Sequence, residues 1–272
     1  MPTFTTNDGV TLAYEDWGHG KPVLFVHSWA LDSQMWAPHM LHFNALGMRT
    51  IAMDRRGHGR SDRPGNGYDY DRLTDDLAAL IERLDLRELT LVAHSMGTAE
   101  CIRLLSRHGS ERIARVILLS PTAPCYLDAD GKQLPLSFFE PALAAIREDY
   151  AQWLADGADD FYLPAETGTS EGMIRRTVDM MLNTSLHAAT GCFRLRVSTD
   201  MRDELPGIDV PMLVIHGLRD ASEPVTGGRA IASRVKGCTM LEYADAPHGM
   251  FHTHKRRLLE DMQAFISPHA SA

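Results

Sequence analysis

The sequence predicts an α/β fold: a mostly parallel sheet with helices on both faces and a helical lid inserted late in the chain. Three observations carry that expectation. Short apolar runs alternate with amphipathic stretches along residues 1–120 and again along 205–272, a strand–loop–helix rhythm that builds a parallel sheet. Between them, over residues 121–204, helical patterning continues without a convincing buried strand. Ser95 sits where the apolar run Leu89-Thr90-Leu91-Val92 gives way to an amphipathic stretch, so a strand turns directly into a helix there.

The elements follow in order. Alternation over Val10 to Trp17, after an Asp8-Gly9 turn, suggests an antiparallel opening strand, and Val23 to Val26 reads as a buried one. Helices are expected at Ser33 to Leu46, Tyr70 to Leu84, Ser95 to Gly109, Val225 to Val235 and Thr253 to Ile266. Strands are expected at Thr50 to Met53, Thr90 to Ala93, Arg115 to Leu119, Met212 to Ile215 and Met240 to Tyr243. The inserted segment carries Phe138, Phe139, Trp153, Phe161, Tyr162 and a helix with Met173, Met180 and Met181. Most of these should pack the lid onto the sheet, while some roof a pocket above Ser95.

At 272 residues the chain can hold one large domain with an insertion. Its net charge of −9 argues against nucleic acid or an anionic membrane surface as a partner. No apolar run reaches membrane-spanning length, and Met1 to Asp8 lacks the regions of a signal peptide, so a cytoplasmic protein is expected. Cys101, Cys125, Cys192 and Cys238 form no C-x-x-C pair, which suits free thiols in a reducing compartment. Gly57-x-Gly59 lacks the third glycine of a dinucleotide loop, and no metal-ligand cluster is spaced for use, so neither a cofactor nor a metal is expected. The expected partner is a small molecule; a homo-oligomer is compatible with the composition.

The strand-to-helix corner reads Ala93-His94-Ser95-Met96-Gly97, an A-x-S-x-G form of the nucleophile elbow. A helix-capping serine is the plain alternative. Two downstream loops favour catalysis. Asp220 follows the strand that ends in His216-Gly217, and His248 lies in Ala246-Pro247-His248-Gly249 after the last strand. The order serine, acid, histidine suits a nucleophile, a general base and an acid that orients the base. The rival acid, Asp245, precedes His248 too closely to sit at a strand end. His27, His58 and His94 read as bracing residues, His252 and His254 as solvated, and Cys101 as core.

The joint order of several blocks resembles the α/β-hydrolase family, in particular its arylesterases and cofactor-free (non-haem) haloperoxidases. Those blocks are Phe4 to Gly9, Asp16-Trp17-Gly18, Asp54 to Ser61, the elbow, Val214 to Gly217 with Asp220, and Ala246 to Gly249 followed by Thr253-His254-Lys255. The resemblance implies the triad Ser95, Asp220 and His248, an oxyanion hole from the backbone N–H groups of Trp29 and Met96, and a bracing role for Asp54 to Ser61. It implies hydrolysis of a small or medium carboxylic ester through an acyl-enzyme. Lactone or lactam opening and peroxide-dependent perhydrolysis or haloperoxidation are the alternatives, and a ligand-binding protein without catalysis is the reading from another class. Three departures stand out: Ser28 replaces a glycine beside Trp29, Thr98 replaces a second glycine after the elbow, and Ala221-Ser222-Glu223-Pro224 replaces aliphatic residues after the acid. Together with the lid residues, these give Ser28, Trp29, Phe139, Phe161, Tyr162, Ser222 and Val225 as the candidate substrate-binding residues, with looser packing expected behind Thr98.

Overall fold

The computed structural model describes residues 1–127 and 132–267, so positions 128–131 of the expected lid lie outside the described residues. The chain runs through β1 (Thr3–Thr5), β2 (Thr11–Trp17), β3 (Pro22–Val26), α1 (Ala37–Ala45), β4 (Arg49–Met53), α2 (Tyr70–Arg83), β5 (Leu89–His94), α3 (Met96–His108) and β6 (Ile113–Leu119). Five helices follow: α4 (Leu136–Glu148), α5 (Tyr150–Tyr162), α6 (Pro164–Thr167), α7 (Glu171–Leu182) and α8 (Leu186–Ser198). The chain then returns through β7 (Met212–Gly217), α9 (Val225–Arg234) and β8 (Thr239–Tyr243) to α10 (Met250–Thr253) and α11 (Lys255–Ile266).

One eight-stranded sheet results, ordered β1-β2-β4-β3-β5-β6-β7-β8. The first two strands pair antiparallel, β2 also pairs antiparallel with β4, and the remainder of the sheet is parallel. Every residue of β5 is buried, as expected of a central strand covered on both faces. β1 was not expected from the sequence. Three residues are too few to show alternation, and only the pairing with β2, Phe4 opposite Leu12 at its centre, defines it. The final expected helix is also broken, because His254 leaves helical geometry between α10 and α11.

Strand order positions the site. From β3 the chain crosses to β4 on one side, then returns past β3 to β5 on the other. Right-handed crossovers therefore put α1 and α2 on opposite faces. The reversal opens a crevice beyond the carboxyl ends of β3 and β5, where α/β sheets hold ligands. Residues 27–29 and Ser95 lie there.

Candidate active site

Ser95 follows β5 with φ 53° and ψ −122°, a backbone conformation that is strained for any residue with a side chain. Its neighbours hold it in place. The Ser95 N–H donates to Leu119 O at 2.9 Å, and its carbonyl accepts from the Thr98 N–H at 2.9 Å and the Thr98 hydroxyl at 2.6 Å. Gly97 lets α3 begin against β3: a Cβ there would lie 2.8 Å from Val26 O and 2.9 Å from His27 O. Thr98 is fully enclosed, so the looser packing expected behind the elbow is not found, because its hydroxyl is used inside the turn. Nor does Ser95 act as a helix cap. Its Oγ is buried without a hydrogen-bond partner among the described residues.

Asp220 and His248 meet directly, with Asp220 Oδ2 2.7 Å from His248 Nδ1. Asp220 Oδ1 accepts from the N–H groups of Ser222 (2.9 Å) and Glu223 (2.8 Å), which fixes the carboxylate in its loop. Burial pushes its pKa upward, but His248 and the Glu223 N–H outweigh burial and hold it down at about 2. Asp245 is turned away: its side chain is 75% exposed and pairs with His254 at 3.2 Å. The His248 backbone carbonyl accepts from His94 Nε2 at 2.9 Å. His94 is fully buried, and burial followed by the proximity of His248 drives its pKa far down, so its ring is neutral. On the other side of the loop the Gly249 N–H donates to Phe161 O on α5 at 2.8 Å. A Cβ at Gly249 would lie 2.4 Å from the Tyr162 ring, so glycine is required for this approach.

The segment 54–61 braces the neighbouring strand end. Arg55 Nη2 donates to His27 O at 2.8 Å, Arg55 N–H donates to His27 Nε2 at 2.9 Å, and the guanidinium also pairs with buried Glu100 on α3. One arginine thus ties the end of β3 to the helix behind Ser95. Ser61 is occupied elsewhere, donating to Asp54 O at 2.6 Å. Met96 is the first residue of α3, whose leading N–H groups have no intrahelical acceptor. The Trp29 indole N–H donates to Ala189 O on α8 at 2.9 Å, and its ring meets Trp153 and Phe193 edge to face at 5.5 and 5.8 Å.

A cavity of about 300 Å³ opens here, lined in part by Ser95, His248, Ser28, Trp29, Phe161 and Ser222. Tyr162 also reaches it, and its hydroxyl meets Thr177 at 2.7 Å, joining α5 to α7. Two expected lining residues are elsewhere. Phe139 turns onto Tyr126, with centroids 5.2 Å apart, and Val225 starts α9 outside the cavity wall. Adjacent Phe138 is 62% exposed. Sequence reasoning missed Arg196 on α8, which lines the cavity, and the depth at which Glu223 is buried. No local pattern announces either. Among the described residues no group of three or more His, Cys, Asp or Glu is arranged to hold a metal, and no helix is long and apolar enough to cross a membrane.

A family model described as alpha/beta hydrolase fold matches residues 21–255. The chain belongs to that family. It is 38% identical to a non-heme chloroperoxidase of Streptomyces lividans, over 98% of this chain and 99% of that protein. It is 32% identical to a bifunctional esterase/perhydrolase of Acinetobacter calcoaceticus, again over 98% and 99%. Among solved structures it superposes on an esterase from Exiguobacterium antarcticum with a TM-score of 0.92 at 26% identity, covering 97% of this chain and 98% of that one. The resemblance to esterases and non-haem haloperoxidases is thereby borne out.

Proposed function

We propose that this chain is a serine hydrolase that cleaves a small or medium carboxylic ester, or a lactone, through an acyl-enzyme. The observation that carries the reading is the contact of His248 Nδ1 with buried Asp220 in the same cavity wall as the strained Ser95. Asp220 stays ionised at neutral pH, so it fixes the tautomer that leaves His248 Nε2 free to accept a proton. Ser95 Oγ attacks the carbonyl carbon as its proton passes to His248. The N–H groups of Trp29 and Met96 receive the oxyanion. Collapse expels the alcohol, protonated by His248, and water then repeats the sequence on the acyl-serine. Ser95 Oγ makes no hydrogen bond among the described residues, and such contacts commonly tighten only with substrate bound. In this reading residues 121–204 form the lid.

A fluorophosphonate probe tests the assignment. Label is expected on Ser95 alone, and Ser95→Ala should lose roughly 10⁴ to 10⁶ in turnover while melting at an unchanged temperature. Label on another serine, or retained turnover, would remove Ser95 from this role. The haloperoxidase and perhydrolase relatives favour a second use of the same acyl-enzyme. Hydrogen peroxide in place of water would release a peracid, which oxidises halide to hypohalous acid while returning to the carboxylic acid. Ser95→Ala should abolish both activities together.

A further inference from the structure

A cationic side chain stands in the cavity without a part in the proposed reaction. Arg196 lines the same cavity as Ser95 and His248 and leaves 12% of its side chain exposed. Its Nη1 donates to Glu223 Oε1 at 2.9 Å, and that same oxygen accepts from the Tyr126 hydroxyl at 2.7 Å and the Thr122 hydroxyl at 3.1 Å. The guanidinium lies 4.9 Å from the centroid of the Phe193 ring and 5.9 Å from that of Trp29. Its Nε is enclosed with no hydrogen-bond partner among the described residues. The pair is therefore lopsided: among the described residues Glu223 has three donors on one oxygen, whereas Arg196 has engaged one nitrogen of a group with five N–H donors.

Stability alone does not account for such a pair. Replacing a buried ion pair by apolar residues of similar volume is often neutral or stabilising. The surroundings also decide which acceptor would suit it. Glu223 cancels the charge of Arg196, Asp220 lies ionised behind His248, and Asp160 adds a carboxylate at the cavity wall. The cavity thus offers hydrogen-bond donors without net positive charge, among aromatic walls.

We infer that Arg196 selects uncharged esters or lactones carrying a second oxygen acceptor, such as a ketone, in preference to both plain alkyl esters and esters bearing a free carboxylate. This rests on the ester-hydrolase reading above. Arg196 is here a specificity-determining residue that binds the remote oxygen and takes no part in proton transfer.

Two matched substrate series test it: para-nitrophenyl hexanoates with a ketone moved along the acyl chain, and hexyl butanoates with a ketone moved along the alkoxy chain. The mono-para-nitrophenyl ester of adipic acid supplies the charged member. Each kcat/KM is divided by the uncatalysed rate of that ester. In the wild type one ketone position should exceed the plain ester by about tenfold or more, the range of a hydrogen bond to a charged donor, and the adipate ester should fall below it. Arg196→Lys keeps a cation for Glu223 but loses the planar fork, and in it the ketone-to-alkyl ratio should fall toward one. The ratio is taken within one preparation, so a merely structural loss of active enzyme cancels. Flat series in the wild type, preference for the adipate ester, or a ketone preference that survives Arg196→Lys would overturn the inference. Failure of Ser95-dependent hydrolysis on every ester would instead overturn the reading beneath it.

Discussion

At the carboxyl ends of β5, β7 and β8, groups are held through main-chain atoms; in α4 to α8, side chains are held by other side chains, some of them reaching over from the strand ends. Ser95 is held through its own N–H and C=O, Asp220 by two loop N–H groups, and the His248 carbonyl by His94. Across the cavity, Trp29, Trp153 and Phe193 meet edge to face, and Arg196 is placed by Glu223. A main-chain path tolerates few alternatives, whereas a cluster of side chains can repack at modest cost. The contrast teaches that point changes can part reaction from selectivity here: strand-end changes should remove rate, and changes on α4 to α8 that keep the Trp29 bond to Ala189 O should redirect it.

The largest effect should come from Asp220→Asn, which presents the wrong tautomer of His248 and should lower kcat by about 10⁴. Asp245→Asn, at an exposed carboxylate, should leave kcat within twofold; a reversal between the two in steady-state kinetics would break the strand-end side of the comparison. Next is Gly97→Ala. Its Cβ would meet two backbone oxygens of the β3 end, forcing α3 away, and the displaced Met96 N–H should cost roughly 10² to 10³ in kcat. Unchanged kcat with unchanged thermal stability would show that the start of α3 has slack.

Asp32→Asn sharpens the comparison by asking whether this layer is held against stability. Asp32 is buried near Asp54, and burial first, then that neighbouring carboxylate, raise its pKa from 3.8 to about 6. A raised acid pKa means that ionising it opposes folding: the penalty is absent below the unfolded value, grows between the two, and is complete above the folded one. Asparagine can still accept from the Gln34 N–H, so the substitution should stabilise the protein by about 1 to 3 kcal/mol at neutral pH. Urea unfolding should show that gain shrinking as pH falls through 6 and vanishing near 3.8. A gain independent of pH would assign it to something other than this carboxyl. The smallest effect is expected from Trp29→Phe, which keeps an aromatic ring at this point but loses the bond to Ala189 O, at about 1 kcal/mol of stability with a modest fall in kcat.

The strand-end groups were legible because each is tied to a local signal. Ser95 lies between an apolar run and an amphipathic one, Asp220 just past a strand, and His248 beside a proline and a glycine. The structure brings Asp220 and His248 into contact and sets Ser95 in the same cavity. What escaped were partners distant in sequence. Arg55 finds Glu100 across 45 positions, and Arg196 finds Glu223 across 27, with no pattern at either end to join them. Phe139 and Val225 failed for a different reason. Each begins or adjoins a helix turn whose facing direction depends on how that helix docks, and apolarity alone does not give the rotation. β1 escaped because three residues carry no period.

The bond from the Trp29 indole to Ala189 gives one residue two allegiances, its amide to the sheet end and its ring to α8. The helical segments on this scaffold are consequently not interchangeable parts. A transplanted helical segment that offers no carbonyl at that point would release the indole, and the ring's drift would be felt at the amide proposed to receive the oxyanion. Engineering a new preference by exchanging these helices would therefore alter the speed of the reaction along with its choice of substrate, unless the graft also reproduces that single acceptor.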